Sequence, residues 1–167
     1  SQWISGPDSR ADTHSRRANA DSILVGTSTA IADDPELTAR RPDGNYFEDQ
    51  PIRIVLGESV IPNNLRLFND RAKTIQIQTR DLNDALRQLW AQGIKHVFVE
   101  GGPRLASAFV AAKLVDEFIV YLSPMLLGGP NMALGQIGIN SIEEAARLTV
   151  LETKQLGNDI FIRARSA

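Results

Sequence analysis

The most informative segment of the chain is Val97-Phe98-Val99-Glu100-Gly101-Gly102-Pro103. Its apolar, β-prone residues predict a short buried strand that ends at a carboxylate. Two glycines then allow a tight turn, and proline favours the first turn of a helix, where its missing N–H costs no hydrogen bond. The helix N-terminus, with free N–H groups and the positive end of the dipole, is receptive to phosphate. A purely structural corner is an equally good interpretation of this turn alone, since it matches neither G-x-G-x-x-G nor the P-loop pattern.

Composition limits the classes of function. The chain has 167 residues, and we expect residues 1–167 to form a single domain. The net charge of −2 gives no electrostatic reason to expect nucleic acid or an anionic membrane as a partner. There are no cysteines, and His14 and His96 lack metal-ligand spacing, so we predict no metal site. No apolar run reaches transmembrane length and the N-terminus is unlike a signal peptide, so a cytoplasmic protein is the default expectation.

Strand patterns alternate with helical patterns along the chain. Strands are predicted at about 23–26, 51–57, 73–78, 97–99 and 117–122, and helices at about 8–19, 81–92 and from Pro103 onward. Two more strands, about 148–154 and 159–164, flank a hairpin turn at Gly157-Asn158. This order predicts an α/β fold of three layers, in which a mixed, mostly parallel sheet has helices on both faces and ends in an antiparallel C-terminal hairpin. The alternating pattern of residues 159–163 is compatible with a sheet edge, where pairing or burial would protect the strand.

Two polar elements have both a structural and a functional interpretation. The first predicted helix is poor in large apolar residues, which is typical of a surface or of a site wall. Its Arg16-Arg17 pair is either a solvated face or part of a site. Asp33, in Asp33-Asp34-Pro35, is either a turn carboxylate that ends the preceding element or a site residue.

Three spaced motifs now match a known family. They are Ser1-Gln2-Trp3-Ile4 ahead of a helix that ends at Arg17; Ile23-Leu24-Val25-Gly26 leading through Thr29 to Asp33-Asp34-Pro35-Glu36-Leu37-Thr38-Ala39-Arg40; and Val99-Glu100-Gly101-Gly102-Pro103-Arg104-Leu105, followed by Ser123-Pro124-Met125-Leu126-Leu127-Gly128. Together they resemble the reductase domain of the riboflavin-biosynthesis deaminase–reductases, which has the dihydrofolate-reductase-like fold. The resemblance spans nearly the whole chain.

The resemblance implies a reaction and a set of site residues. The reaction is the NADPH-dependent reduction of a phosphoribosylamino-pyrimidine, 5-amino-6-(5-phosphoribosylamino)uracil, to its ribitylamino form. Position by position, it implies substrate contacts at Ser1, Arg17, Leu37, Arg40 and Glu100. It implies cofactor contacts at Trp3, Thr29, Asp33, Gly101, Gly102, Pro103, Arg104, Leu105, Ala106, Ser107 and Ala108. Asp33, as a proton donor, and Glu100 are the implied catalytic residues, and arginine forks suit a ribose 5-phosphate.

The chain departs from the family pattern in two places. Family members have a strand ahead of the position of Ser1, and we expect that strand and part of the site to be missing from residues 1–167. After the strand that ends at Leu56, family members often have Asp-Ser where this chain has Gly57-Glu58. A carboxylate there would repel an adenosine 2′-phosphate, which weakens the preference for NADPH over NADH. Arg80 is either a partner for that phosphate or a solvated side chain.

Other functions remain open at this point. One is a reductase of the same fold that acts on another pyrimidine or pterin-like substrate, because a fold alone does not fix chemistry. Another is a nucleotide-binding relative without catalysis. A deaminase of the family type needs zinc-ligating cysteines, so we expect that activity on a fused segment or a separate protein. A homodimer is an expectation from the family.

Overall fold

The computed structural model describes residues 3–128 and 132–167. The chain divides into two compact units, one formed by residues 14–106 and the other by residues 1–13 together with 107–167. Helix α1 (Pro7–Ala18) and helix α4 (Pro103–Ala111) each contribute residues to both units. Ser1, for which a substrate contact is predicted, lies outside the described residues.

The unit of residues 14–106 is built on a four-stranded parallel sheet in the order β3-β2-β1-β4. Its elements are β1 (Ser22–Gly26), α2 (Thr27–Asp33), β2 (Ile52–Leu56), β3 (Thr74–Ile77), α3 (Leu82–Ala91) and β4 (Val97–Val99), with a 3₁₀ turn at Arg66–Phe68. The central strands β1 and β2 are almost completely buried, as continuous apolar runs predict for parallel strands. One core cluster joins Ile23, Val25, Ala30, Leu37, Val55, Ile61 and Leu67.

Strand β4 differs from its prediction in burial. All three of its residues are half-buried, because β4 is an edge strand among the described strands and pairs only with β1 there. Its carboxyl end leads directly into α4, as the segment Glu100-Gly101-Gly102 predicts. Helix α3 also begins as expected, with Asp81 as its N-cap accepting bonds from the amides of Asn83 (2.8 Å) and Asp84 (3.1 Å).

The other unit contains a three-stranded antiparallel sheet in the order β5-β7-β6. The strands are β5 (Phe118–Leu122), β6 (Leu148–Leu156) and β7 (Asp159–Ser166), and a 3₁₀ turn lies at Ile142–Glu144. The hairpin of β6 and β7 is confirmed, but residues 159–163 do not lie at a sheet edge. Strand β7 is the central strand, since β5 pairs with it along its other side and Phe161 and Ala164 are buried. The α/β fold class, with a parallel sheet and an antiparallel C-terminal hairpin, is confirmed.

Candidate active site

Several predicted site residues of the unit formed by residues 14–106 lie at the carboxyl ends of its parallel strands. Helix α2 begins immediately after β1, and α4 begins after the short turn that follows β4. Because neighbouring strands are parallel, both helices start at the same edge of the sheet, where ligands of open α/β sheets bind. Glu100, Gly102 and Thr29 all lie at this edge, and the amide of Gly102 is 3.4 Å from the Thr29 hydroxyl.

Arg17 and Glu100 form a bidentate ion pair. The Arg17 Nε and one terminal nitrogen each donate to a different Glu100 carboxylate oxygen at 2.7 Å, and the other terminal nitrogen donates to the Thr38 carbonyl at 2.9 Å. The side chains are 17% and 19% exposed, so the pair is largely shielded from water. Two predicted substrate residues are therefore direct partners, 83 positions apart in sequence. Since Arg17 uses all its nitrogens, its main effect is to orient Glu100.

The segment between α2 and β2 is fixed by unusual backbone conformations. Asp34 (φ 40°) and Leu37 (φ 50°) are both left-handed, a conformation that costs energy for residues other than glycine. Leu37 is only 4% exposed and belongs to the core cluster, so little of its side chain is accessible to a ligand. The segment presents the Thr38 carbonyl to α1, where it accepts from Arg17 and lies 3.1 Å from His14 Nδ1. Burial first, and Arg17 next, lower the pKa of His14.

Arg40 is held by its own surroundings. Its Nε donates to the Thr38 hydroxyl at 3.2 Å, one terminal nitrogen donates to Glu36, and its guanidinium lies 5.2 Å from the centre of the Tyr46 ring. The Arg40 side chain is 34% exposed, twice the value for Arg17. An anion therefore has easier access to Arg40 than to Arg17.

The two glycines after Glu100 have different roles. A Cβ at Gly101 would lie 2.5 Å from Leu105 Cδ2, so glycine is required there for the packing of α4 against the turn. A Cβ at Gly102 would meet only the Thr29 hydroxyl oxygen, at 3.5 Å, so the structure leaves open space beside this backbone. The Gly102 carbonyl accepts from the amides of Leu105 and Ala106, which starts the helix. A half-buried glycine backbone with open space beside it, at a helix start, fits the pyrophosphate of a dinucleotide.

Within the Asp-Asp-Pro motif, the structure separates the two carboxylates. Asp34 is the C-cap of α2, and its side chain accepts from the Arg66 amide at 2.7 Å. Asp33 is the last residue of α2 and is exposed. The structural interpretation of the motif therefore applies to Asp34, and Asp33 is accessible for another role.

Three predicted cofactor residues belong to the other unit. Trp3 is 65% exposed, with the Arg10 guanidinium 4.8 Å from its ring centre. The Ser107 hydroxyl accepts from the Gly135 amide at 2.8 Å, and Ser107 is buried, whereas Ala108 is exposed. Ser107 thus has a clear structural role within its own unit.

Sequence reasoning missed several residues beside the predicted site. His14 precedes Arg17 by one helical turn, a spacing that could have indicated it. Glu36 and Thr38 lie within a motif but carry no sequence signal of their own, although they bind Arg40 and Arg17. Arg80 and Glu58, the two residues that bear on the choice between NADPH and NADH, form an ion pair. Arg80 Nε lies 2.8 Å from Glu58 Oε2, near the carboxyl ends of β3 and β2, and the two side chains are 85% and 53% exposed.

Two further features of the described residues concern metal and membrane binding. Residues 3–128 and 132–167 contain no group of three or more histidine or carboxylate side chains placed to hold a metal ion. Over the same part of the chain, no helix has the length and apolar character that crossing a bilayer requires.

The parallel sheet, with a helix-opening glycine turn at its carboxyl edge, and the three-stranded antiparallel sheet place the protein in the dihydrofolate-reductase-like fold class. The sequence profile of the family described as "RibD C-terminal domain" matches residues 1–162. The chain belongs to this family, the pyrimidine reductases of riboflavin biosynthesis. The resemblance stated from the sequence is thereby confirmed.

Individual relatives agree with this assignment. The riboflavin biosynthesis protein RibD of Mycobacterium tuberculosis is 43% identical over 162 residues, which are 97% of this chain and 47% of that protein. The structure of Acinetobacter baumannii RibD superposes with a TM-score of 0.90 at 28% identity and covers all of this chain and 52% of that one. A Thermotoga maritima structure, a diaminohydroxyphosphoribosylaminopyrimidine deaminase and 5-amino-6-(5-phosphoribosylamino)uracil reductase, has a TM-score of 0.81 at 22% identity, covering 100% and 51% of the two chains, and shows the fold. The chain thus spans about half the length of these RibD relatives.

Proposed function

We propose that the protein reduces 5-amino-6-(5-phosphoribosylamino)uracil to the ribitylamino product with NADPH, in riboflavin biosynthesis. The observation that carries this proposal is the Arg17–Glu100 pair beside the Gly101-Gly102 turn, at one strand end of a RibD C-terminal domain. An oriented carboxylate thereby adjoins a backbone suited to a pyrophosphate, so substrate and cofactor can be held in contact. The Thermotoga maritima relative carries the name of a reductase of this substrate.

The chain's residues divide the work of binding. NADPH, when bound, supplies the hydride that adds to C1′ of the sugar. Gly102 and the first turn of α4 bind the pyrophosphate, and Thr29 contributes its hydroxyl at the same place. Arg104, Leu105 and Ala106 continue that turn.

On the substrate side, Glu100 accepts hydrogen bonds from the hydroxyl or N–H groups of the sugar and pyrimidine. Arg17 supplies the two donors that hold the Glu100 carboxylate in one orientation. Arg40 binds the 5′-phosphate, because it is the more exposed of the two arginines. Asp33, which is exposed, donates the proton that the opened sugar takes up. The contacts predicted for Ser1, Trp3, Leu37, Pro103, Ser107 and Ala108 stay predictions.

We further propose a homodimer and a cooperating deaminase. One face of the β5-β7-β6 sheet is apolar and open to solvent: Val120, Leu122, Val150 and Ile160 lie on it and are 42% to 57% exposed. A second copy would cover such a face. We expect the wild type to sediment as a dimer and Ile160→Glu to sediment as a monomer. A monomeric wild type would contradict the proposed homodimer.

We propose the deaminase, on the same polypeptide or a separate one, because the RibD relatives are about twice as long as this chain.

The reaction is tested with the intact protein, NADPH and the deaminated ribotide. We expect NADPH to be consumed and the ribitylamino product to be identified by mass. Binding of NADPH without turnover would indicate a nucleotide-binding relative instead. Turnover of another pyrimidine or a pterin, but not of the ribotide, would indicate a different reductase of the same fold.

The division of roles is tested by a pair of substitutions at the turn. Gly102→Ala should weaken NADPH binding by about tenfold without lowering the melting temperature, since its Cβ has room in the protein but not beside a pyrophosphate. Glu100→Gln should raise KM for the ribotide or lower kcat and leave the Kd of NADPH unchanged. Gly101→Ala is the control for a structural effect, because its Cβ collides with Leu105. The reverse pattern, with Gly102→Ala affecting only the ribotide, would overturn the division.

A further inference from the structure

The carboxylate of Glu36 is the centre of a shielded polar cluster. It is 11% exposed and accepts bonds from side chains of three chain segments. One oxygen accepts from Tyr46 (2.9 Å) and Asn69 (3.0 Å), and the other from Arg40 and Arg66 (3.3 Å). Burial acts to raise the pKa of Glu36, but the bonds from Tyr46 and Asn69 and the charge of Arg40 outweigh it, so the pKa lies below its ordinary value.

The cluster is anchored in the core of its unit. Asn69 also accepts, through its side-chain oxygen, from Arg53 at 2.7 Å, and Arg53 is completely buried within β2. Glu36 therefore connects a loop residue, Arg40, to the rigid centre of the sheet. The Arg40 side chain therefore has few conformations available, although it reaches the surface.

Arg40 is constrained from three directions. Glu36 holds one terminal nitrogen, the Thr38 hydroxyl accepts from Nε, and the Tyr46 ring lies against the guanidinium. In the part of the chain that the structure describes, these contacts leave the second terminal nitrogen as the one that bonds to no protein atom. Its two N–H groups match the needs of a phosphate oxygen.

We propose that Glu36 is a positioning residue that presets Arg40 to receive the phosphate of the substrate. This inference rests on the proposed function and assigns a role to a residue that touches neither substrate nor cofactor. Arginine loses much rotamer freedom when it binds an anion, and that loss occurs during folding when the side chain is already fixed. Arg40 keeps a terminal nitrogen available for the phosphate, because its ion pair with Glu36 occupies the other terminal nitrogen.

The test compares Glu36→Gln with Arg66→Met in the intact protein. Arg66 is 59% exposed and bonds to the same Glu36 oxygen as Arg40, so its loss perturbs the cluster without touching Arg40. Glu36→Gln should raise KM for the ribotide about ten- to hundredfold, leave kcat and the Kd of NADPH within twofold, and leave KM unchanged for the same substrate without its 5′-phosphate. Arg66→Met should leave KM for the ribotide within threefold.

A double-mutant cycle checks that Glu36 acts through Arg40. In an Arg40→Met background, Glu36→Gln should have no further effect on KM for the ribotide. An additive effect, an equal effect of Arg66→Met, or an equal effect on the phosphate-free substrate would each overturn the inference. Glu36→Asp, which keeps the charge and shortens the side chain, replaces Glu36→Gln if the latter does not fold, with the same expected direction.

Calorimetric titration with ribose 5-phosphate separates this inference from the proposed function. If the wild type binds ribose 5-phosphate and Glu36→Gln weakens that binding, the inference holds even where the ribotide is not reduced. If the ribotide is reduced and Glu36→Gln binds ribose 5-phosphate as tightly as the wild type, the inference fails while the proposed function stands.

Discussion

Two shielded carboxylates, one in each unit, are held in opposite ways. Glu100 is 19% exposed and is bound by a guanidinium, which donates once to each of its oxygens. Asp159 is 2% exposed and is bound by uncharged donors: the Gly6 amide (2.7 Å), the Ser9 hydroxyl (2.6 Å) and the Ser123 hydroxyl (2.7 Å). Both carboxylates are held by hydrogen bonds, but the donors carry a charge at Glu100 and none at Asp159.

We propose that this difference separates a substrate-binding residue, Glu100, from a structural one, Asp159. Asp159 takes its bonds from the residues around the start of α1 and from the end of β5, so it ties these parts of one unit together. Among the described residues, the Arg17 side chain holds Glu100, and each Glu100 oxygen keeps a lone pair for a ligand. We infer that the charge of Glu100 serves recognition and that the charge of Asp159 serves stability.

The largest expected effect follows removal of the charge that holds Glu100. Arg17→Met should lower kcat/KM for the ribotide by about a hundredfold or more, because it leaves a shielded carboxylate unpaired and releases the Thr38 carbonyl. Arg17→Lys keeps the charge but loses the fork, so its activity should lie between the two. Steady-state kinetics measure kcat/KM for each variant. A kcat/KM of Arg17→Met within threefold of the wild type would contradict the role of Glu100 in recognition.

A smaller effect, on stability alone, is expected at the other carboxylate. Asp159→Asn should lower the melting temperature by several degrees, because three donors lose their best acceptor, while kcat/KM of the folded protein stays within twofold. Glu117→Gln, which alters a 48% exposed carboxylate of the same unit, is the control and should change the melting temperature little. Loss of activity without loss of stability in Asp159→Asn would reverse its assignment.

The same carboxylate predicts the direction of an acid effect. The hydroxyl groups of Ser9 and Ser123 and the Gly6 amide hold the pKa of Asp159 below its ordinary value. A group with a lowered folded-state pKa contributes stability above its unfolded value, about 3.9, and loses it as the pH falls through the folded pKa. Thermal unfolding of the wild type and of Asp159→Asn between neutral pH and pH of about 3 should therefore converge toward the acid end. Parallel curves would show that Asp159 does not carry this dependence.

The sequence predicted those elements of the fold that depend on neighbouring residues alone. The apolar run 97–99, the glycine turn and Pro103 predict a strand, a corner and a helix start from neighbouring residues, and the structure has all three. The central position of β7 was not predicted, because it depends on pairing with β5, about forty positions earlier. A hairpin pattern contains no information on what lies along the outer side of its second strand.

The candidate site was predictable as a set of residues but not as an arrangement. Arg17 and Glu100 were both expected at the substrate, yet their bond joins helix α1 to the end of β4 and follows only from the fold. Glu36 could not be distinguished from a solvated loop acid, since its partners Tyr46 and Asn69 lie in later loops. Motif matching singles out candidate ligand contacts and does not single out the residues, such as Glu36, that bond to those contacts.

The smallest effect, on cofactor binding, is expected at a third carboxylate, Glu58, which is more exposed than Glu100 and Asp159. It is 53% exposed and pairs with Arg80 beside the carboxyl ends of β2 and β3, so solvent screens the pair strongly. If the cofactor's adenosine ribose extends to these strands, Arg80→Gln should weaken NADPH binding about three- to tenfold and leave NADH binding unchanged. Glu58→Gln should strengthen NADPH binding by a few-fold, because it frees Arg80 and removes a negative charge near the 2′-phosphate. Titration of both nucleotides into each variant decides the matter: equal changes for NADPH and NADH would show that the pair is a surface ion pair without a role in cofactor choice.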